Sequence, residues 1–169
     1  MKYYLISTTL LIVLAASSVL AHTGATGIVK ERMEAMSDMG DMGDMGDMGD
    51  MGDMGDKAKI VSDMFKGKTD FKIASVVEAA DAFVVHGSSM KDLFPDTKPS
   101  RTGKTTRALS AIWEDWNGFT SQVVEFESNS EKLLKLSQDT NDVDVLKKAF
   151  TTAAKNCSGC HKQFREPKK

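Results

Sequence analysis

The chain has 169 residues, enough for one domain with a substantial core and hardly enough for two. Its 22 Lys and Arg residues stand against 24 Asp and Glu residues, which gives a formal net charge of −2. This mild acidity disfavours nucleic acid as a partner, because nucleic-acid binding requires a concentrated basic face. The basic tail at residues 162–169 is short and contains Glu166, so we interpret it as solvated surface.

The first 21 residues have the features of a secretory signal peptide. Lys2 supplies a short positive start, residues 4–14 form an apolar run, and Val19-Leu20-Ala21 is a suitable cleavage site. The apolar run is short for a membrane span and has no stop-transfer flank. We therefore expect residues 1–21 to be removed on export to the periplasm, which leaves a domain at residues 22–169 that does not span the membrane. An uncleaved anchor is the alternative.

Apolar residues in the rest of the chain recur with the helical period, which predicts four helices and no strand. The first helix begins near Thr26, a suitable capping residue. Its apolar face comprises Ile28, Val29, Met33 and Met36. The others are predicted at about residues 70–86, 106–137 and 141–164, with a long connection at residues 87–104 that contains Pro and Gly. These elements predict an all-α, antiparallel four-helix bundle.

Residues 39–56 are Met-Gly-Asp repeated six times, and they interrupt the first helix. When residues 42–56 are left out, its apolar pattern resumes in phase at Ala58, Val61 and Phe65. Glycine disfavours a helix interior, and a period of three directs the methionines all around a helix. We therefore expect a looped-out or weakly ordered insertion, best explained as a tolerated repeat expansion. A copper(I) site built from thioethers is the alternative.

The motif Cys157-Ser158-Gly159-Cys160-His161 is the Cys-x-x-Cys-His pattern of c-type haem attachment. Two thiols at this spacing add to the two vinyl groups on one edge of a porphyrin, and the next residue presents its imidazole to the iron. On a helix, Cys157 and His161 project from the same side because they are four residues apart. We predict one covalent haem c near the C-terminus, with Cys157 and Cys160 as thioether links and His161 as axial iron ligand.

Other interpretations of the two cysteines fit less well. A disulfide is common in exported proteins, but it does not explain the histidine that follows. A redox-active pair of the thioredoxin kind requires a helix N-terminus to lower the thiol pKa, whereas this pair lies near the end of a predicted helix. A zinc site requires four ligands, and beyond the motif the sequence offers only the distant His22 and His86 as further histidines.

A haem motif in the last helix of a four-helix bundle resembles the cytochrome c prime family and its low-spin, methionine-ligated relatives. The points of similarity are residues 29–32, Ile112-Trp113 and residues 157–165. The resemblance implies that Arg165 lies close to the histidine on the proximal side of the haem. It also implies that Arg32 lies near the haem and faces a propionate.

The resemblance further implies that helix one covers the distal face of the haem. Met36, four residues after Arg32, would then point at the iron, and Met33 would also face inward. A thioether sixth ligand raises the reduction potential of haem iron, whereas a methionine that only fills the pocket leaves the iron five-coordinate. Both cases occur in the family, and of the two methionines Met36 is the favoured ligand.

No catalytic acid–base pair, phosphate loop or second metal site is evident in the sequence, so we predict that the protein is not an enzyme. The leading hypothesis is electron transfer by Fe(III)/Fe(II) cycling between periplasmic redox proteins. The alternative is binding or sequestration of NO or CO at a five-coordinate, high-spin haem. Peroxidase activity is disfavoured because no distal His or Arg is evident beside Met36. The resemblance also implies a homodimer through the first two helices, although the repeat lies in one of them.

Overall fold

The structure is a computed structural model that describes residues 25–37 and 53–167. Its helices are α1 Gly27–Ser37, α2 Asp53–Phe65, α3 Ile73–Ser89, α4 Lys98–Thr102, α5 Ala111–Glu114, α6 Trp116–Asp139 and α7 Val143–Phe164, with a 3-10 turn at Met90–Leu93 after α3. None of the helices within these ranges is long and apolar enough to cross a membrane. The predicted signal peptide lies outside the described residues.

Helices α2, α3, α6 and α7 form the bundle: α3 packs on α2 and α6, and α7 packs on α6 and α2. Apolar residues from all four helices meet in one cluster, here called the bundle cluster, which includes Val61, Phe83, Leu133 and Leu146. Each of these four side chains is at most 1% exposed. The predicted all-α four-helix bundle is confirmed, and burial of this apolar surface is the main force that holds it together.

A second cluster, here called the cavity cluster, comprises Phe94, Ile112, Phe119, Val123 and Phe164. It joins the start of α6 and the end of α7 to α5 and to Phe94, which follows the 3-10 turn. The ring of Phe119 lies edge-on to Phe94 and Phe164, with centroids 4.8 and 5.4 Å apart. This cluster borders the functional site.

The predicted first helix is represented by two helices, α1 and α2, and they have different neighbours. Helix α1 contacts α4 and the 3-10 turn, whereas α2 packs on α3 within the bundle. The close approach of α1 requires Gly103, because a methyl group there would lie 2.5 Å from the Val29 side chain. Val29 is buried and Met33 is half-buried. The side chain of Met36 lies outside the part of the chain that the structure describes.

The last copy of the repeat belongs to α2, so the prediction of a looped-out insertion is wrong for that copy. Met54 precedes Ala58, Val61 and Phe65 by four, seven and eleven residues, which places it on the same face of the helix. Its side chain is 2% exposed and belongs to the bundle cluster. Residues 38–52, which contain the other copies except for Asp53, lie outside the described ranges.

The predicted third helix is also divided. Residues 106–110 precede α5, which is a single turn, and the backbone breaks at Asp115 with φ −122° and ψ 59°. The Asp115 carboxylate then caps α6 by accepting from the Gly118 N–H at 3.0 Å. The last helix agrees more closely with the prediction: α7 is capped by the Asp142 carboxylate and ends at Phe164.

Candidate functional site

A cavity of about 570 Å³ lies among α1, the first turn of α2, the start of α6 and the end of α7. This volume is within the usual range for a site that encloses a small molecule or cofactor. Most of its wall is apolar and aromatic, including Val29, Phe94, Ile112, Phe119, Val123, Phe126 and Phe164. The cavity is therefore a preformed apolar site at one end of the bundle.

The structure brings the three residues of the haem motif to the wall of this cavity. Cys157, Cys160 and His161 are all half-buried on α7, spaced so that they share one face of the helix. Cys157 packs against the bundle cluster and Cys160 against the cavity cluster, so the motif lies at the junction of the two. Neither cysteine forms a disulfide. This placement follows from the helical spacing of the motif.

Burial keeps both thiols protonated: it raises the pKa of Cys157, and it raises the pKa of Cys160 to about 11. Redox-active cysteine pairs have the opposite property, a lowered thiol pKa. Burial, with the nearby Arg165 and Arg107 guanidinium groups, lowers the pKa of His161 to about 4. The imidazole is therefore neutral at pH 7, the form that coordinates metals.

Arg32 is buried beside the cavity, with 5% of its surface exposed. Its guanidinium group donates hydrogen bonds to the Leu93 carbonyl at 2.9 Å, the Ser100 carbonyl at 3.1 Å and the Thr106 hydroxyl at 3.2 Å, and also to the Ser100 hydroxyl. It also lies 4.3 Å from the centroid of the Phe94 ring. These contacts give each nitrogen of the guanidinium group at least one acceptor but supply no negative charge.

Burial lowers the pKa of Arg32 to about 10, so the side chain remains charged at neutral pH. Among the described residues, no carboxylate forms an ion pair with it. A buried charge without a counter-ion is costly. The site therefore fits a bound group that carries a carboxylate of its own.

A short extended segment holds the end of α7 beside the cavity. Ala108 and Arg165 form an isolated antiparallel bridge, in which the Leu109 N–H donates to the Phe164 carbonyl at 3.0 Å. The Glu166 N–H donates to the Arg107 carbonyl at 2.8 Å. Arg107 and Arg165 thereby line the cavity next to His161. Sequence reasoning missed Arg107, because residues 106–110 had been assigned to a helix.

Three described methionines line the cavity: Met33, Met54 and Met90. The Met33 sulfur accepts a hydrogen bond from the Thr105 hydroxyl at 3.5 Å. Met54 and Met90 were not among the predicted site residues. Met90 lies in the connection between helices, and Met54 is one of six identical repeat methionines, so neither had a local sequence signal.

The residues around the cavity fit a haem group. Two half-buried thiols and a neutral imidazole are the groups that covalent attachment and axial ligation of a haem require, and apolar walls surround them. The buried Arg32 cation provides a partner for a propionate. By contrast, no group of three or more His, Cys, Asp or Glu residues that could hold a metal ion occurs in the part of the chain that the structure describes.

Comparison with known proteins agrees with this assignment. Residues 48–165 match the family model described as Cytochrome C', which spans α2 to α7. The chain belongs to the cytochrome c' family. The resemblance seen in the sequence is thereby confirmed. As a member, this cytochrome is a c-type haem protein with one covalent haem and its iron, and two cysteines near its C-terminus are present for attachment.

Individual relatives show the same similarity over different lengths. A cytochrome c' of Halomonas halodenitrificans is 32% identical over 63 residues, which cover 37% of this chain and 48% of that protein. A cytochrome c-556 of Agrobacterium tumefaciens is 30% identical over 89 residues, 52% of this chain and 70% of that protein. The solved cytochrome c' of Rhodopseudomonas palustris has 25% identity and a TM-score of 0.69, with 85% of this chain and 99% of that chain covered.

Proposed function

We propose that this cytochrome is a periplasmic electron carrier whose haem is attached through Cys157 and Cys160, with His161 as axial ligand. The bound haem supplies an iron that cycles between Fe(III) and Fe(II). One observation carries the proposal: the three motif residues line the same cavity as Arg32, a buried cation with no carboxylate partner among the described residues.

The surrounding residues have distinct roles in this proposal. Arg32 binds a propionate, and its hydrogen bonds to Leu93 and Ser100 hold its guanidinium group in place. Arg107 and Arg165 lie beside His161 and favour its neutral form. The bridge between Ala108 and Arg165 fixes the end of α7, which keeps the imidazole oriented. The apolar wall excludes water from the iron.

A methionine sulfur on the distal side completes the coordination in this proposal. Met36 is the favoured ligand, as the sequence indicates, with Met33 as the second candidate. Met33 is the weaker candidate because its sulfur already accepts a hydrogen bond from Thr105. A six-coordinate, low-spin iron changes its surroundings little between oxidation states, which suits electron transfer.

The size and apolar lining of the cavity favour a second candidate function, the binding of NO or CO at a five-coordinate haem. Residues such as Ile112, Phe119 and Val123 form an apolar wall, which is compatible with a small uncharged ligand.

The described cavity wall contains no Asp or Glu and has His161 as its one histidine. We also propose that the protein performs no catalytic reaction, as the sequence predicts.

Export, redox partners and self-association are also part of the proposal. Removal of residues 1–21 would release the cytochrome into the periplasm, where small redox proteins are its expected partners.

Helices α2 and α3 each expose a large apolar residue, Ile60 at 51% and Val85 at 58%. The resemblance to the family implies a homodimer through these two helices, and we include it in the proposal on that ground.

An optical spectrum of the purified holoprotein tests the choice between the two functions. An electron carrier with a methionine ligand gives low-spin ferric and ferrous spectra, and CO changes the ferrous spectrum little. A gas-binding protein gives a high-spin ferric spectrum, and its ferrous form takes up CO readily. A high-spin ferric spectrum at neutral pH would replace electron transfer with gas binding as the proposed function.

A further inference from the structure

Met54 connects the Met-Gly-Asp repeat to the haem cavity. It is the first residue of the last copy and lies in the first turn of α2. Its side chain is 2% exposed and lines the cavity together with Cys157 and His161. The residue also packs in the bundle cluster with Val61. One copy of the repeat is therefore part of both the core and the site.

The sequence after the repeat determines which copy is buried. From Lys57 onwards the sequence is not repetitive, and Val61, Met64 and Phe65 anchor α2 in the bundle. The side chain three residues before Lys57 then faces the core, because it lies seven residues, or about two helical turns, before Val61. Asp56 lies in the first turn of the same helix, where a negative charge is favourable.

The six copies are identical, so whole copies can be gained or lost without altering this position. After the loss of any one copy, a Met-Gly-Asp triplet still stands directly before Lys57. Loss of a single residue has a different consequence: without Asp56, the position three before Lys57 is taken by Asp53. A carboxylate would then replace a thioether in an apolar wall, which is unfavourable.

We propose that the copy preceding Lys57 is a fixed part of the haem cavity, in which Met54 forms the wall at α2 and limits the room for a ligand beside the iron. The other copies are a spacer whose number varies in whole units without effect on the site. This inference rests on the proposed haem site, and it assigns to Met54 a role that is separate from iron coordination.

Four variants of the holoprotein test the inference. Met54→Ala removes the wall, Met54→Leu keeps its volume, and Met51→Ala makes the same change one copy earlier as the matched control. The fourth variant deletes residues 54–56, which places Met51 three residues before Lys57. For each variant, the CO affinity of the ferrous protein, the ferric spectrum and the thermal midpoint are measured.

We expect Met54→Ala to raise the CO affinity several-fold and to lower the thermal midpoint, because it opens space in a packed wall. Met54→Leu and Met51→Ala should match the wild type, since the first conserves volume and the second changes a spacer copy. The deletion variant should keep the wild-type CO affinity, because Met51 then takes the position of Met54. If Met54→Ala does not yield holoprotein, Met54→Val provides the same comparison with a smaller shift.

Two results would overturn the inference: equal CO affinities for Met54→Ala and Met51→Ala, or a CO affinity of the deletion variant that differs from the wild-type value. Either result leaves the proposed function intact as long as the wild-type protein carries covalent haem. Absence of covalent haem from the wild type would instead refute the proposed function. The mass of each purified protein separates these two kinds of failure.

Discussion

The bundle cluster and the cavity cluster are both apolar, but they differ in what completes them. In the bundle cluster, side chains from α2, α3, α6 and α7 fill the space between the helices, and Val61, Leu133 and Leu146 are fully buried. The cavity cluster instead borders a space of about 570 Å³ and a buried cation, Arg32, without a carboxylate partner among the described residues. Protein side chains alone therefore fill the bundle cluster, whereas the cavity cluster borders a space that fits a cofactor.

The haem motif lies between these two regions, since Cys157 packs on the bundle cluster and Cys160 on the cavity cluster. Changes at bundle-cluster residues that do not line the cavity should alter the stability of the protein and leave its spectrum unchanged. Changes around the cavity should alter the spectrum or the reduction potential. Substitutions on each side test whether this separation holds.

The largest spectroscopic effect is expected from His161→Ala. The haem remains tethered by two thioether links, but its iron loses the proximal nitrogen, so the visible spectrum changes and the bundle becomes less stable. The measurement is the absorption spectrum of the ferric and ferrous protein. Lys162→Ala, an exposed neighbour, is the control and should have the wild-type spectrum. An unchanged spectrum for His161→Ala would mean that another residue ligates the iron.

In the bundle cluster, Leu146→Ala should reduce the free energy of unfolding by about 2–5 kcal/mol, the usual result of emptying a fully buried leucine site. The visible spectrum of the folded protein should stay unchanged, because Leu146 does not line the cavity. Denaturant unfolding followed by circular dichroism measures the loss. Val145→Ala, at a neighbouring side chain that is 40% exposed, should have little effect. A changed haem spectrum in Leu146→Ala would show that the two regions are coupled.

Met36→Ala decides the coordination of the iron. If the Met36 sulfur is the sixth ligand, the variant is high-spin and its ferrous form takes up CO readily, whereas the wild type is low-spin. Electron paramagnetic resonance of the ferric proteins reads the spin state directly. Met33→Ala is the matched comparison on the same helix. A wild-type protein that is already high-spin would contradict ligation by Met36.

Arg32→Gln should have a smaller effect, on both potential and stability. Loss of the buried positive charge disfavours the reduced iron, so the reduction potential falls. Loss of charged hydrogen bonds to Leu93 and Ser100 should lower the free energy of unfolding by about 1.5–3 kcal/mol. Arg101→Gln is the control, because Arg101 pairs with Asp96 and does not line the cavity. Equal potentials for the two variants would argue against a propionate at Arg32.

Much of α7 could be predicted from local sequence. Its capping residue Asp142 lies within one residue of the predicted start, and its end at Phe164 agrees with the prediction. The shared face of Cys157, Cys160 and His161 follows from helical spacing alone. These features depend on neighbours in sequence, which explains why they were accessible without a structure.

Other features depend on contacts that the local sequence does not encode. Residues 106–110 were assigned to a helix, but Ala108 pairs with Arg165, which is distant in sequence, and Asp115 interrupts the helix that follows. The burial of Met54 is set by the register of α2, and six identical copies give no signal of which one packs. Arg107 reaches the site only because of the same long-range pairing.

Mass spectrometry of the denatured wild-type protein, purified after export, tests the central claim most directly. The account predicts the mass of residues 22–169 plus one haem, with Cys157→Ala and Cys160→Ala each weakening or abolishing the attachment because each removes one thioether link. A haem-free chain with a disulfide between Cys157 and Cys160 would contradict the account.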